Sequence, residues 1–115
     1  MILKNQEEGI KREKLGGSGK GHALAFPITI PDQDGAFIMT TRLELEPGAS
    51  VGYHLHADNE EVYFVMGGEG LYSEENESRQ VKAGDIMLCR MGRSHGIENT
   101  GKETLVLGAA IAKRA

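Results

Sequence analysis

One cysteine, three prolines and no tryptophan rule out several ways of building or using this 115-residue chain. Cys89 cannot close an internal disulfide and belongs to no C-x-x-C pair, which excludes a disulfide scaffold and a zinc ribbon; it reads as a small core residue in a strand. Long apolar runs are missing too. The longest, LVLGAAIA, is eight residues, far short of the roughly 20 a membrane span requires. The opening MILKNQEEG turns polar after three residues, so it is not a signal peptide. No block of five like charges occurs and the net charge is −4, which argues against a nucleic-acid partner. These absences point to a reducing cytoplasm and a globular protein without membrane or nucleic-acid partners. No apolar repeat at i, i+3 and i+4 persists over three turns, so a helical bundle is excluded.

What the chain has in excess is glycine. Its sixteen residues are about twice the usual share of ~7%, as expected of a chain that turns often. The length fits one domain with its own core. Met1 to Lys20 is polar and ends in LGGSGK, an arm and flexible loop outside the core. Those glycines do not make a phosphate loop, because Lys14 and Gly21 stand where Gly and Ser or Thr would be needed. Residues 21–115 then form the domain. HALAFPITI, His22 to Ile30, alternates with period two and carries Pro27, predicting a strand at an edge or bulge. A loop, Pro31 to Gly35, follows. In AFIMTTRLELEPG, Phe37, Met39, Thr41, Leu43 and Leu45 take one face, and Ile38, Thr40, Arg42, Glu44 and Glu46 the other. EEVYFVMGGEGLYS is a strand kinked at Gly67-Gly68, EENES a turn, RQVKAGDIMLCR the returning strand. Two more strands flank Asn99-Thr100-Gly101. Short strands at spacings near ten residues predict an all-β sandwich or small barrel.

The chemistry concentrates in GYHLHADNEEVYFV, Gly52 to Val65. Strand residues two apart share a side, about 6.6 Å apart along the chain, so His54 and His56 present two imidazoles to one face while Tyr53 and Leu55 face away. ADNE turns the chain so that Glu61 re-enters on the next strand, sharing a face with Tyr63 and Val65. If that face meets the histidines, Glu61 completes three metal donors. The bland alternative is a set of hydrogen-bonded core or rim residues.

GASVGYHLHADNEEVYFVMGG, Gly48 to Gly68, reads G-x5-H-x-H-x4-E-x6-G and resembles the first motif of the cupin superfamily. GDIMLCRMGRSHGIEN, Gly84 to Asn99, resembles the second, G-x5-P-x-G-x2-H-x3-N, matching at Gly84, Gly92, His95 and Asn99; Arg90 replaces the usual proline. The short spacing between motifs is similar to that of compact bacterial cupins. The resemblance implies a single double-stranded β-helix, a jelly-roll barrel, in which His54, His56, Glu61 and His95 bind one divalent metal ion. Three imidazoles and a carboxylate suit Mn, Fe, Ni, Co, Cu or Zn better than Ca or Mg. Zinc with four protein ligands would close a structural tetrahedron; an octahedral ion would keep two positions open.

Met39, Thr41 and Tyr63 are candidates for the pocket wall or, equally, for the barrel core. His22 reads as a rim residue, Glu60 as outward-facing, and Arg90 and Arg93 as solvated loop arginines. Three functions stay open. An open metal site can bind a chelating carboxylate, enediol or sugar for dioxygenase, decarboxylase, isomerase or lyase chemistry. The same site can serve a sensor or carrier without turnover, or the metal can be a structural staple. Outward Val62, Phe64 and Met66 need covering, and with the family resemblance they predict a homodimer to which the arm adds a strand.

Overall fold

The structure, a computed structural model, describes residues 1–28, 30–31 and 34–113. Thr29, Asp32 and Gln33, which belong to the expected His22–Ile30 strand and the Pro31–Gly35 loop, lie outside the described residues, as do Arg114 and Ala115 of the expected barrel. Ten strands run in order: β1 (Ile10–Glu13), β2 (His22–Ile28), β3 (Phe37–Leu45), β4 (Ser50–His56), β5 (Asn59–Gly67), β6 (Glu69–Glu74), β7 (Glu77–Lys82), β8 (Ile86–Cys89), β9 (Arg93–Glu98) and β10 (Leu105–Lys113). A 3-10 turn, Leu15–Gly17, follows β1. No helix among the described residues is long and apolar enough to cross a membrane.

The strands form two antiparallel sheets, one ordered β1-β2-β3-β10-β5-β8 and the other β4-β9-β6-β7. Alternation decides which side chains meet between them. Leu43 and Leu45 of β3, Tyr63 and Val65 of β5, and Leu105, Leu107 and Ala109 of β10 point inward and are buried against Val51, Tyr72 and Ile97 of the other sheet. This is the all-β architecture the patterning predicts, in the jelly-roll form the resemblance implies. Gly68 carries the chain from one sheet to the other with φ 81°, and a Cβ there would lie 2.6 Å from the Thr104 carbonyl oxygen. The backbone crossing therefore requires glycine.

Three local outcomes differ from simple alternation. In β2 the small residues Ala23 and Ala25 face the interior, while Phe26 packs on the outside, beneath the Arg42 guanidinium at 3.9 Å from its ring centre. The stretch RQVKAGDIMLCR is two strands rather than one: the chain turns at Ala83–Asp85, so β7 ends in one sheet and β8 begins in the other. Part of the N-terminal arm, β1, pairs with β2 of its own chain, Ile10 opposite Ala25 and Glu13 opposite His22.

Asn99 of the second motif is buried and holds the loop after β9. Its Nδ2 donates to the Leu45 and Glu103 carbonyls at 2.9 and 2.8 Å, and its Oδ1 accepts from Gly101 N at 2.9 Å. The turn that carries Arg90 in place of proline closes all the same, with Arg93 N donating to Arg90 O at 3.1 Å.

Candidate metal centre

The interior face at one end of the barrel is polar because of an irregularity in β4. Val51 pairs with Ile97 and His54 with His95, so Gly52 and Tyr53 together oppose the single residue Gly96. This is a β-bulge, which re-aims the following side chains. Val51 and His54 both face inward, and Tyr53 and Leu55 face solvent. Gly96 makes the bulge possible: a Cβ there would lie 2.9 Å from Val51 O and 3.1 Å from Tyr53 N. His56 follows His54 on the inward face, His95 reaches in from β9, and Glu61 from β5.

The four side chains converge as expected. Nε2 of His56 lies 3.1 Å from Nε2 of both His54 and His95, and Glu61 Oε1 lies 3.2 and 3.0 Å from the His56 and His95 Nε2 atoms. All four donor atoms fall within 4.8 Å of one another. His56, Glu61 and His95 are buried and His54 is half-buried.

The outer ring nitrogens select the tautomer. His54 Nδ1 donates to the Gly52 carbonyl at 2.6 Å, and His56 Nδ1 to Asn59 Oδ1 at 2.6 Å. His95 Nδ1 donates to the Tyr72 hydroxyl at 3.0 Å, whose own proton goes to Glu74 Oε1 at 2.8 Å. With each Nδ1 carrying a proton, the neutral form of each ring presents its Nε2 as a lone pair. In that form three lone pairs and a carboxylate oxygen meet at one point, and their mutual repulsion is relieved by a shared cation. This is the donor chemistry of a divalent-metal site.

The surroundings reinforce it. Burial lowers the His54 pKa below its ordinary value, and the other two imidazoles push the same way against the Gly52 hydrogen bond and the Glu61 charge. Burial, with the Glu61 carboxylate adding to it, holds the Tyr63 phenol protonated well above the usual range. Its ring stacks on His95 at 4.9 Å and 11°. Burial likewise raises Tyr72, with its bond to Glu74 next, and pushes the Cys89 thiol up to about 11.

A pocket of about 550 Å³ opens over the donors. Met39, Thr41 and Tyr63 line it, beside His54, His56 and Glu61. His22 lies elsewhere, exposed and paired with Glu13 at 2.9 Å. Glu60 alternates with Glu61 in β5, and exposed Arg93 pairs with Glu74 at 3.5 Å. Sequence reasoning missed Asn59, Tyr72 and Glu74, the acceptors behind the imidazoles. The inward alternation of β6 was the available signal for Tyr72, and none marked Asn59. It also missed the segment from Arg12 through Glu13, Lys14 and Leu15 to Gly16, which forms one wall of the pocket.

A family model described as "Cupin domain" matches residues 41–111. An oxalate-binding protein of Thermotoga maritima is 32% identical over 112 residues, covering 96% of this chain and 93% of the relative. A solved Thermotoga maritima structure described as a predicted oxalate decarboxylase superposes with a TM-score of 0.92 at 30% identity, covering 99% of this chain and all of that one. A cupin domain from Schizosaccharomyces pombe shares the fold at 16% identity, with a TM-score of 0.72 over 80% of this chain and 61% of its own length.

Proposed function

The chain belongs to the cupin family, and on that premise we propose that His54, His56, Glu61 and His95 hold one divalent transition-metal ion, Mn, Fe, Ni or Zn, which binds a small chelating carboxylate of the oxalate type. The observation that carries the reading is the convergence of three Nε2 atoms and one carboxylate oxygen within 4.8 Å, neighbouring pairs standing 3.0 to 3.2 Å apart. Neighbouring ligands of an ion bound at about 2.1 Å stand about 3.0 Å apart at right angles and about 3.4 Å apart in a tetrahedron. The donor spacing fits the former, which supports a six-coordinate ion with positions left for a bidentate acid. That favours a working site over a closed structural staple.

The ion would supply a positive charge for the acid's oxygens. The protein's residues do the rest. Gly52, Asn59 and Tyr72 fix the ring orientations and raise the basicity of Nε2. Glu61 offsets one positive charge. Met39, Thr41 and the Tyr63 ring flank the space where the acid would lie. The match to an oxalate-binding relative across nearly the whole chain supports the ligand class.

A second reading is decarboxylation, supported by the description of the structural neighbour. Splitting a C–C bond leaves a carbon that must take up a proton. The Tyr63 phenol, protonated and buried beside Glu61, is the group placed to hold one.

The test is metal analysis of purified protein by mass spectrometry, followed by calorimetric titration with oxalate. About one equivalent of metal per chain is expected, lost in the His54→Ala/His56→Ala variant, with oxalate binding only to loaded protein. Formate release in the same samples would add turnover. Failure to take up Mn, Fe, Ni or Zn would end the metal reading.

A further inference from the structure

The side of the pocket away from the donors is built by the N-terminal segment. In the β1–β2 pairing Arg12 stands opposite Ala23, and directly paired residues share a face, so Arg12 lies on the inward side next to the two small buried alanines. Lys14 follows with a left-handed backbone, φ 53° and ψ 40°, that bends the chain into the 3-10 turn. That turn is packed against the donor cluster: a Cβ at Gly16 would lie 2.5 Å from Gly52 O and 2.8 Å from His54 Nδ1. The pocket wall carrying Arg12 and Lys14 is thereby fixed relative to the imidazoles.

Arg12 and Lys14 both line the pocket, as does Glu13 between them, and neither cationic side chain forms a hydrogen bond or ion pair with any described residue. The Glu13 carboxylate is already engaged: Glu13 stands opposite His22 in the β1–β2 pairing and meets its Nε2 at 2.9 Å. The pocket thus combines the donor cluster, apolar residues such as Met39, Leu43 and Ile111, and, at its exposed rim, two cations with no ion-pair partner among the described residues. Its 550 Å³ is in the range of pockets for ligands much larger than a two-carbon diacid.

We propose that Arg12 and Lys14 bind the far carboxylate of a longer dicarboxylate whose 2-hydroxy-acid end chelates the ion at the donor cluster, making these two residues the determinants of ligand length and charge. The proposal rests on the metal reading above. An arginine fork and an ammonium beside a partly dry wall form the charge-assisted hydrogen bonds such a group needs, and unpaired cations at the mouth draw dianions in.

The experiment uses full-length protein loaded with Mn(II), its occupancy checked by mass spectrometry. Titration calorimetry compares malate, 2-hydroxyglutarate and 2-hydroxyadipate with the 2-hydroxy monoacids of equal chain length. At least one diacid is expected to bind about tenfold more tightly than its matched monoacid. In the Arg12→Gln/Lys14→Asn variant that advantage should fall below about twofold with metal content unchanged, asparagine being tolerant of the left-handed backbone. The charge-conserving Arg12→Lys/Lys14→Arg variant should keep most of it. Loaded wild type without a diacid advantage, an advantage that survives in the Gln/Asn variant, or its loss in the charge-conserving one overturns the rim assignment while leaving the metal reading standing. Wild type that takes up no metal overturns both.

Discussion

The proton on each Nδ1 of His54, His56 and His95 is held by a different acceptor, a backbone carbonyl, an amide and a phenol. The phenols and the thiol buried around this cluster favour their neutral forms, which sets a pH limit on the fold. The Cys89 thiol ionises near 9 when unfolded and about 11 in the fold, and Tyr63 and Tyr72 are raised above 10. Above pH 9 the unfolded chain releases protons that the folded chain retains. Stability is therefore full below about pH 9 and declines as pH rises toward the folded pKa values. The midpoint of thermal unfolding should be flat from pH 7.5 to 8.5 and fall steadily from pH 9 to 11; a flat profile to pH 11 would refute the coupling. Ionisation alone should make Cys89 alkylation at pH 8 roughly a hundredfold slower in folded than in unfolded protein, measured with iodoacetamide.

At the scale of single elements, the 3-10 turn matters more than its three residues suggest. Gly16 has φ 67° and touches both the Gly52 carbonyl and the ring it orients. Gly16→Ala should displace the turn at a cost of about 1–3 kcal/mol. The clash falls on the His54 hydrogen bond, so metal retained after dialysis against a chelator should drop markedly more than the unfolding midpoint does. Equal retention in wild type and variant would show the turn to be a bystander. Nothing in the sequence announced this contact. Alternation in β3 and β5 was legible because period two is a local property, and it placed Met39, Thr41, Glu61 and Tyr63 on inward faces. The His-x-His pair was legible for the same reason, since the bulge lies upstream of His54 and leaves the two-residue spacing intact. The bulge itself depends on Gly96, a residue more than forty positions away. The pairing of β1 depends on the β2 edge rather than on any apolar pattern of its own, all four residues of β1 being exposed. The break between β7 and β8 was hidden because the stretch carries no proline, and Gly84 and Asp85 alone did not outweigh the strand-forming residues around them.

For the whole molecule, an exposed apolar surface lies on the outer face where β5 meets β8. Phe64 pairs with Ile86 and Val62 with Leu88, and Phe64, Met66, Ile86 and Leu88 are 45 to 63% exposed. β8 is also the edge of its sheet. Such a patch beside an open edge is suited to a second copy of the chain, as the sequence predicts. Sedimentation at micromolar concentration should give about twice the 12.5 kDa chain mass, reverting to one chain in a Phe64→Glu/Ile86→Glu variant. A clean wild-type monomer would eliminate the homodimer. One further consequence concerns synthesis. β10 follows every other strand in the chain, yet it lies between β3 and β5 in the middle of the larger sheet. On the ribosome, those two strands emerge with their facing edges open and cannot pair with each other, so the sheet is completed only once residues 105–113 are released. Folding then depends on contacts between distant parts of the chain, the slow end of the range for small domains. During that interval the growing chain displays two adhesive strand edges to its neighbours, the kind of exposure that chaperones shield.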